Sequence, residues 1–363
     1  MAKIYFFVAV VCSVLAYFST YGKPPIQDRF GELQKKRQRM FFYFLLIFLL
    51  VSFSGFRKIY AGGMDEYAYR ARFDVIKVMS LSEALAFTPN EPLISLVFYI
   101  AAKLFDTSQG VLLLTSILTL VPIVYSFSKY SIDFAYAVVL LFATGQVYSM
   151  FNGVAQYLAA AMYLFAIPYL YKRQFWKYLL VVLICCMFHT ASVILIPIYF
   201  IALNRTDSIK GIGTSLVVLT ALIIAYNSLG SIINATGMLD NYMFVVEEGH
   251  HGVNIITIAI NCVPAALAVV TGNRTKDDKA TTVCANMCIL HALIYIASIM
   301  DVYIARFALF TCTFVILYLS RITKIFSNEF KIIFKIASVI LYSIVCYMLI
   351  DNARYVLEFR LFL

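Results

Sequence analysis

Long apolar segments separated by short polar loops make up almost the whole chain. A helix needs about 20 apolar residues to cross a hydrocarbon core roughly 30 Å thick, and many of the segments approach that length. The pattern predicts an all-α polytopic membrane protein with roughly ten to twelve transmembrane helices, in one integral membrane domain over residues 1–363. The apolar segments run from Ile4 to Tyr21, Phe41 to Phe56, Leu93 to Phe105, Val111 to Phe127, Phe134 to Met150, Val154 to Tyr171, Lys177 to Leu203, Leu216 to Leu229, Ile255 to Val270, Val283 to Met300, Phe307 to Leu319 and Ile332 to Ile350.

Composition supports the membrane class. The chain is 63% hydrophobic and 13% charged, whereas soluble domains are about 45–50% apolar and about 25% charged. The formal charge of +10 does not indicate nucleic acid, because the basic residues lie in short loops between apolar segments, where the positive-inside bias places them. We therefore expect membrane lipids as partners and no nucleic acid.

Loop charge also predicts the orientation of the segments. The most basic loop, from Lys23 to Arg39, follows the first segment and is expected in the cytoplasm, with the N-terminus outside. If Leu93 to Phe105 crossed the membrane, Lys172 and Arg173 would face outward, against the same bias. We therefore expect that segment to be re-entrant or only half-spanning. Residues 57–90 and 230–254 are then outer loops, the first with an amphipathic helix.

The stretch around His189 combines polar side chains with apolar sequence. Asn152 and Gln156 are four residues apart and would share a helical face. The segment from Lys177 to Leu203 would be about 40 Å long as one helix, longer than the hydrocarbon core. A pair of half-helices broken near His189 is favoured over one tilted helix, because it returns Arg205 to the cytoplasmic side. Broken helices at membrane depth occur where they line a cavity or are buried in protein.

The outer loop at residues 57–90 contains a charged helical pattern. Asp65, Tyr69 and Arg72 would lie on one helical face, and Glu66 would pair with Arg70. Two interpretations remain open: a solvated amphipathic helix, or a helix that covers a polar cavity and turns its Asp and Tyr towards a sugar.

Nothing in the sequence indicates a metal or a cofactor. His250 and His251 stand near Glu247 and Glu248, but adjacent histidines point in different directions, which favours a solvated loop. The eight cysteines lie in or beside apolar segments and are expected to pack as small apolar residues. Walker, His-Glu-x-x-His, Gly-x-Ser-x-Gly and Asp-x-Asp motifs are absent, which argues against an ATPase, a zincin, a serine hydrolase and a metal-dependent nucleotide-sugar enzyme.

A set of short motifs resembles the EpsG/Wzy family of polysaccharide polymerases, which are membrane glycosyltransferases. These motifs are Asn152-Gly153-Val154-x-Gln156-Tyr157-x-Ala159, Lys172-Arg173-x-Phe175-x-Lys177-Tyr178 and Phe188-His189-x-x-Ser192-x-x-x-x-Pro197-x-Tyr199. The likeness continues upstream at Gly62 to Phe73 and Glu91-Pro92, and downstream at Asp301 to Phe307. Each motif is short, but together they span most of the chain.

The resemblance implies a GT-C-like architecture with an outer-face cavity in the bacterial inner membrane. The implied activity transfers a growing glycan from undecaprenyl diphosphate to an incoming lipid-linked repeat unit at the periplasmic face. It would produce O-antigen or exopolysaccharide without a metal or another cofactor. A chain-length regulator is a candidate partner. The rival interpretations are a transporter of lipid-linked oligosaccharide or solute, which two related halves would favour, and an acyltransferase that uses His189.

A site for this reaction needs guanidinium groups for the diphosphate, a base near the acceptor hydroxyl, and polar or aromatic groups for the sugars. His189 is the candidate base, against a satisfied core histidine, and Arg306 is the candidate diphosphate ligand, against an interfacial snorkelling arginine. Asp65 is the third catalytic candidate. The candidates for substrate binding are Tyr69, Arg70, Arg72, Glu91, Asn152, Ala155, Gln156, Tyr242, Asp301 and Tyr303.

One position departs from the family pattern. The family usually has Arg immediately before the Gln of the first motif, and this chain has Ala155. Phosphate binding then depends on Arg306, with Arg70 or Arg72 as further candidates. We therefore expect this form to be a weak or inactive polymerase.

Overall fold

The computed structural model describes residues 2–21, 25–27, 34–36, 39–57, 65–218, 220, 252–299 and 302–351. The α-helices, in chain order, are α1 Ala2–Thr20, α2 Met40–Gly55, α3 Asp65–Lys77, α4 Leu81–Phe87, α5 Pro92–Leu104, α6 Gln109–Tyr130, α7 Phe134–Ala143, α8 Gln146–Ser149, α9 Val154–Tyr163, α10 Ile167–Tyr171, α11 Phe175–Phe188, α12 Ile198–Ile201, α13 Ile209–Val218, α14 Ile255–Thr275, α15 Lys279–Ala297, α16 Leu309–Ile322 and α17 Asn328–Asp351. Short 3₁₀ helices lie at Leu164–Ala166, Thr190–Leu195, Val302–Ala308 and Thr323–Ile325. Strands β1 Pro25–Gln27 and β2 Gln34–Lys36 form an antiparallel pair.

The helices confirm a polytopic all-α membrane protein. Within the described residues, seven helices are long and apolar enough to cross a membrane, and six shorter apolar helices accompany them. Several of the predicted segments extend further than expected; α6, for example, runs from Gln109 to Tyr130 rather than from Val111 to Phe127. Most of the predicted loop at 230–254, and the predicted segment from Leu216 to Leu229 beyond Val218, lie outside the described residues.

Local sequence explains where several helices begin. In α4, Ser80 and Glu83 form a reciprocal capping box. The carboxylate of Asp133 accepts a hydrogen bond from the Tyr136 N–H and caps α7, and Asp278 caps α15 in the same way. Pro92 occupies the first turn of α5, where its missing N–H is not needed.

Arg321 organises one end of the bundle, which we call the basic face. Its guanidinium donates to the Tyr130 carbonyl at 2.6 Å and pairs with Asp278 at 2.8 Å, and Lys324 also contacts Asp278. Burial by itself would raise the pKa of the Asp278 carboxyl, but Arg321 and Lys324 outweigh that effect and hold the pKa well below its usual range. The turns that lie at this face are 130–134, 172–174, 202–208, 276–278 and 326–327.

The opposite end, which we call the motif face, carries the turns near residues 56–57, 88–91, 105–108, 150–153 and 298–308. Side-chain contacts hold two of these turns close to each other and to α3. The Gln109 side chain donates to the carbonyls of Gly55 and Arg57 at 2.6 and 2.7 Å, and Lys77 donates to the Asp106 carbonyl at 2.9 Å.

These contacts confirm that α5 does not cross the bundle. Helix α2 ends at the motif face, α6 begins there beside it, and the turn before α6 is also bound to Lys77 of α3. No net crossing therefore separates the end of α2 from the start of α6, and the 13 residues of α5 make a helix of about 20 Å, shorter than the hydrocarbon core. The turn at 150–153 is therefore on the motif face, and residues 172–174 are on the basic face, as loop charge predicted.

The predicted break at His189 is also confirmed. Helix α11 ends at Phe188, His189 has an extended backbone with φ −155° and ψ 119°, and a 3₁₀ turn follows. The returning segment packs back on α11, because the rings of Phe175 and Tyr199 lie 5.1 Å apart. The two halves therefore leave and return to the basic face, and His189 lies at the tip between them.

Helices α9 and α10 lie at the centre of the bundle. Their span from Val154 to Tyr171 is 72% buried, whereas the corresponding values for α1 and α17 are 22% and 17%. Helix α9 contacts α6, α11 and α16. The first motif is therefore placed where several spans meet, and α1 and α17 leave most of their apolar surface for lipid.

Candidate functional site

The first motif forms a tight turn followed by a buried helix. Gly153 precedes α9 with φ +69°, a left-handed conformation that favours glycine. Asn152 is exposed and lies before the helix, whereas Gln156 is buried inside it. The expectation that Asn152 and Gln156 share a helical face is therefore wrong, because the turn at Gly153 separates them.

Gln156 joins the first motif to the segment before α16. Its side-chain amide donates to the Arg306 carbonyl at 2.8 Å. Arg306 is exposed and lies in the 3₁₀ helix Val302–Ala308. Ala155, the position that departs from the family pattern, is half-buried beside Gln156. Two segments about 150 residues apart are thus brought to one place.

Glu91, His189 and Thr190 form a second polar cluster on the motif face. His189 Nδ1 lies 3.1 Å from Glu91 Oε1. The same oxygen accepts hydrogen bonds from the Thr190 N–H at 2.8 Å and the Thr190 hydroxyl at 3.1 Å. Glu91 therefore binds both the candidate base and the first N–H of the returning 3₁₀ turn, which would otherwise lack a partner.

The environment of Glu91 keeps its carboxyl ionised. Burial by itself would raise the pKa of Glu91, but the contact with His189 and the hydrogen bonds from Thr190 outweigh burial and lower the pKa. The side chains of His189 and Glu91 remain 29% and 21% exposed, so a substrate hydroxyl can approach the ring.

Arg72 links α3 to the segment that contains Glu91. Its Nη2 donates to the hydroxyls of Thr88 and Ser95 at 2.6 and 2.7 Å, and the guanidinium lies 4.8 Å from the Phe98 ring centroid. Thr88 and Ser95 flank Glu91 in sequence, and the Glu91 N–H donates to the Thr88 carbonyl at 2.9 Å. Arg72 thus positions Glu91.

The other candidates on α3 differ in exposure. Tyr69 is half-buried and its ring lies 5.9 Å from that of Phe98, whereas Arg70 is exposed. The structure places Asp65 at the first position of α3 and Tyr303 in the 3₁₀ helix before α16, but their side chains lie outside its description. Asp301 and Tyr242 also lie outside the described residues.

Arg57 is a residue that sequence reasoning missed. It is only 1% exposed, although it directly follows the last residues of α2. Its guanidinium donates to the carbonyls of Ser54 at 2.5 Å and Phe151 at 3.2 Å, and it lies 4.5 Å from the Phe151 ring centroid. The only sequence signal was its place at the end of an apolar segment, which is equally typical of a snorkelling arginine.

A pocket opens beside Arg57, between α2, α6 and the turn before α9. The space inside it is about 10 Å³, room for about one water-sized group. The residues that line this Arg57 pocket are Ser54, Arg57, Thr115, Ser116, Thr119, Leu120, Met150 and Val154. The pocket therefore adjoins the first motif through Met150 and Val154.

His291 is a second buried polar residue that the sequence did not single out. Its Nδ1 lies 2.8 Å from the Thr311 hydroxyl and its Nε2 lies 3.0 Å from the Asn261 side-chain oxygen. Both ring nitrogens are therefore occupied by neutral partners on α16 and α14. This arrangement ties three helices together and leaves no nitrogen to accept a substrate proton.

Metal ligation finds no support in the part of the chain that the structure describes. No group of three or more His, Cys, Asp or Glu side chains there could hold a metal ion. The histidine pair at 250–251 lies outside that part.

Comparison with known proteins gives one match. The model of the EpsG family matches residues 40–360. No curated protein and no solved structure matches the chain.

Proposed function

Because the chain belongs to the EpsG family, which carries a polysaccharide polymerase-type role, we propose that it lengthens a glycan on a polyprenyl diphosphate. The donor is the growing glycan on undecaprenyl diphosphate, and the acceptor is a sugar hydroxyl of an incoming lipid-linked repeat unit. The observation that carries the proposal is the Glu91–His189 pair at the broken helix, on the face where the family's motifs meet.

His189 is the proposed general base. In this proposal the ring directs an Nδ1 proton towards the Glu91 carboxylate, 3.1 Å away, and offers Nε2 as acceptor. The acceptor oxygen forms a bond to the anomeric carbon of the donor while its proton passes to Nε2. The bond from that carbon to the diphosphate oxygen breaks, and the diphosphate leaves with the electron pair.

The leaving diphosphate needs cationic donors. Guanidinium groups fit this task because their planar N–H forks match phosphate oxygens. Arg306 is our proposed ligand, because the Gln156 side chain holds its backbone beside the first motif. No step requires a metal or another cofactor in this scheme.

The proposed orientation follows from charge. The basic face carries Lys172, Arg205 and Lys276 among its turns, and positive-inside bias places such turns in the cytoplasm. The motif face would then meet the periplasmic side of the inner membrane. Lipid-linked repeat units would enter from the bilayer, and a chain-length regulator would act at this face.

The test is polymerisation by purified protein supplied with the matching undecaprenyl-diphosphate repeat unit. We expect a glycan ladder from the Ala155→Arg variant and a weaker ladder from the chain with Ala155, because the substitution restores a cation at the family's position. Absence of a ladder from both forms would overturn the polymerase assignment.

A further inference from the structure

The Arg57 pocket is a polar recess inside an apolar bundle. Its hydroxyls on α6 lie six to ten residues from the start of that helix, which is about 9–15 Å along its axis. Polar side chains at membrane depth face the interior or a water-filled cavity and mark binding sites for polar ligands. The recess therefore offers hydrogen bonds at a depth where the lipid phase offers none.

The guanidinium in this recess is held in one orientation. The carbonyls of Ser54 and Phe151 accept hydrogen bonds from Nη1 and Nη2, and the Phe151 ring lies against the group. Arginine stays protonated at any physiological pH. The hydroxyl of Ser116 donates to that of Ser54 at 2.8 Å, so the wall beside Arg57 is also ordered.

We propose that the Arg57 pocket binds a phosphate oxygen of the polyprenyl-diphosphate carrier, an inference that rests on the proposed polymerase function. A buried guanidinium beside Ser and Thr hydroxyls favours a negatively charged oxygen, because charge-assisted hydrogen bonds are roughly twice as strong as neutral ones. The narrow recess takes one oxygen of the phosphate, and the rest of the carrier stays outside it.

The Arg57 pocket supplies positive charge near Ala155, where the family usually has an arginine. The Phe151 carbonyl, which accepts from Arg57, lies four residues before Ala155, on the turn that leads into α9. A guanidinium that reaches this turn from α2 supplies positive charge beside the first motif from a different element. Arg57 is then a phosphate ligand in addition to Arg306.

Binding can be measured without turnover. The full-length protein in nanodiscs is titrated with undecaprenyl diphosphate, inorganic diphosphate or phosphatidylglycerol, and the dissociation constant is obtained from the shift in the thermal unfolding midpoint. The variants are Arg57→Lys and the double change Ser116→Ala with Thr119→Val. Ser126→Ala is the matched control, because Ser126 is buried on the same helix but does not line the pocket.

We expect both pocket variants to bind undecaprenyl diphosphate about tenfold or more weakly, the effect of losing hydrogen bonds to a charged group, and Ser126→Ala to bind as the parent does. If Arg57→Lys does not fold, the double variant decides. Unchanged affinity in a folded pocket variant would mean that Arg57 only ties α2 to the turn before α9, and would overturn the inference.

Comparison of the three ligands identifies the source of the phosphate. Equal binding of phosphatidylglycerol would also overturn the inference, because the pocket would then take ordinary headgroups. Binding of inorganic diphosphate with the same dependence on the pocket variants would support it. Because no glycan is formed, these results are separate from the polymerase test. If a glycan ladder forms but the pocket variants bind the carrier as the parent does, the pocket inference is wrong and the polymerase assignment stands.

Discussion

Glu91 combines two tasks in one carboxylate oxygen. It contacts His189 Nδ1 and caps the returning half of the broken helix through Thr190. In the proposed mechanism the first contact orients the ring, and the second fixes the returning turn. Neither role requires Glu91 to touch a sugar, so we propose that Glu91 acts as a positioning residue.

Replacement of Glu91 should therefore lower turnover and leave substrate binding largely intact. We expect Glu91→Gln to reduce kcat by about 10²-fold, the lower end of the contribution of a general base, with KM little changed. Steady-state kinetics measures both quantities.

Glu83→Gln is the matched control, because Glu83 is an exposed capping-box residue and Gln serves equally well there. A large drop in kcat for Glu83→Gln would contradict the account.

The lowered pKa of Glu91 adds a stability test. A carboxyl whose pKa is lowered by folding stabilises the folded protein fully above its unfolded pKa of about 4.3, and this contribution is lost as the pH falls further. Parent and Glu91→Gln should thus unfold at more similar temperatures at pH 3.5 than at pH 7.

Arg72 acts on the His189 ring indirectly, through the position of Glu91. Its hydrogen bonds to Thr88 and Ser95 hold both flanks of Glu91. We expect Thr88→Val combined with Ser95→Ala to lower kcat roughly tenfold with KM almost unchanged, because the loss of about one or two hydrogen bonds loosens the carboxylate. Ser82→Ala, on exposed α4 surface, is the control. A rise in KM alone would instead assign these residues to substrate binding.

The elements are joined by polar contacts at both ends of an apolar bundle. On the basic face, Asp278 binds Arg321 and Lys324 at the turn between α14 and α15, while α7 is tied to α17 through the Asp133–Lys335 pair at 2.5 Å. On the motif face, Gln109, Gln156 and Glu91 each join segments distant in sequence. Helix α5 and the broken α11 pair are joined by the Glu91–His189 contact.

Loss of Asp278 should weaken the bundle at its basic face. Arg321 is only 5% exposed in its side chain, so Asp278→Asn leaves a buried guanidinium without its carboxylate. Removal of one partner from a buried pair costs about 3–5 kcal/mol, and we expect a clear fall in the thermal unfolding midpoint. Asp207→Asn, which removes the partner of the exposed Arg205, should change the midpoint little. Equal effects of the two changes would show that the Asp278 cluster is not a structural pair.

At the scale of the whole molecule, the two faces predict opposite labelling. We expect Asn90→Cys and Thr107→Cys to react with a membrane-impermeant maleimide in intact spheroplasts, since the 13 residues of α5 are too few to cross the bundle and the turn that follows α5 lies at the motif face. Lys172→Cys should react only after permeabilisation. The parent chain, with its eight native cysteines, gives the background. Labelling of Asn90→Cys and Thr107→Cys from opposite sides would mean that α5 crosses the membrane.

Loop charge and segment length predicted much of this fold. They predicted that α5 does not cross and that the helix breaks at His189, because both follow from where basic loops must lie. The separation of Asn152 from Gln156 was not predicted, because a glycine inside a motif gives no direct sign of positive φ. The depth of Arg57 was missed for a related reason, since an arginine at the end of a span is equally compatible with the interface.

The site was predicted residue by residue, but not as a set of contacts. His189 and Glu91 were both candidates, yet nothing in the sequence joined residues 98 positions apart. That pairing depends on α5 remaining at the motif face, a tertiary feature. Arg72 was a candidate substrate ligand, which stays a prediction, and its Nη2 contacts with Thr88 and Ser95 were not foreseen.

The most direct test of the central claim is the glycan ladder made by His189→Gln and by His291→Gln, in whichever background, Ala155 or Ala155→Arg, polymerises faster. His291 has both ring nitrogens hydrogen-bonded inside the bundle, so it is a matched histidine outside the proposed site. We predict that His189→Gln loses at least about 10²-fold in polymerisation rate while it still binds the lipid-linked repeat unit, and that His291→Gln retains most of the rate. Polymerisation by His189→Gln at the parent's rate would contradict the account.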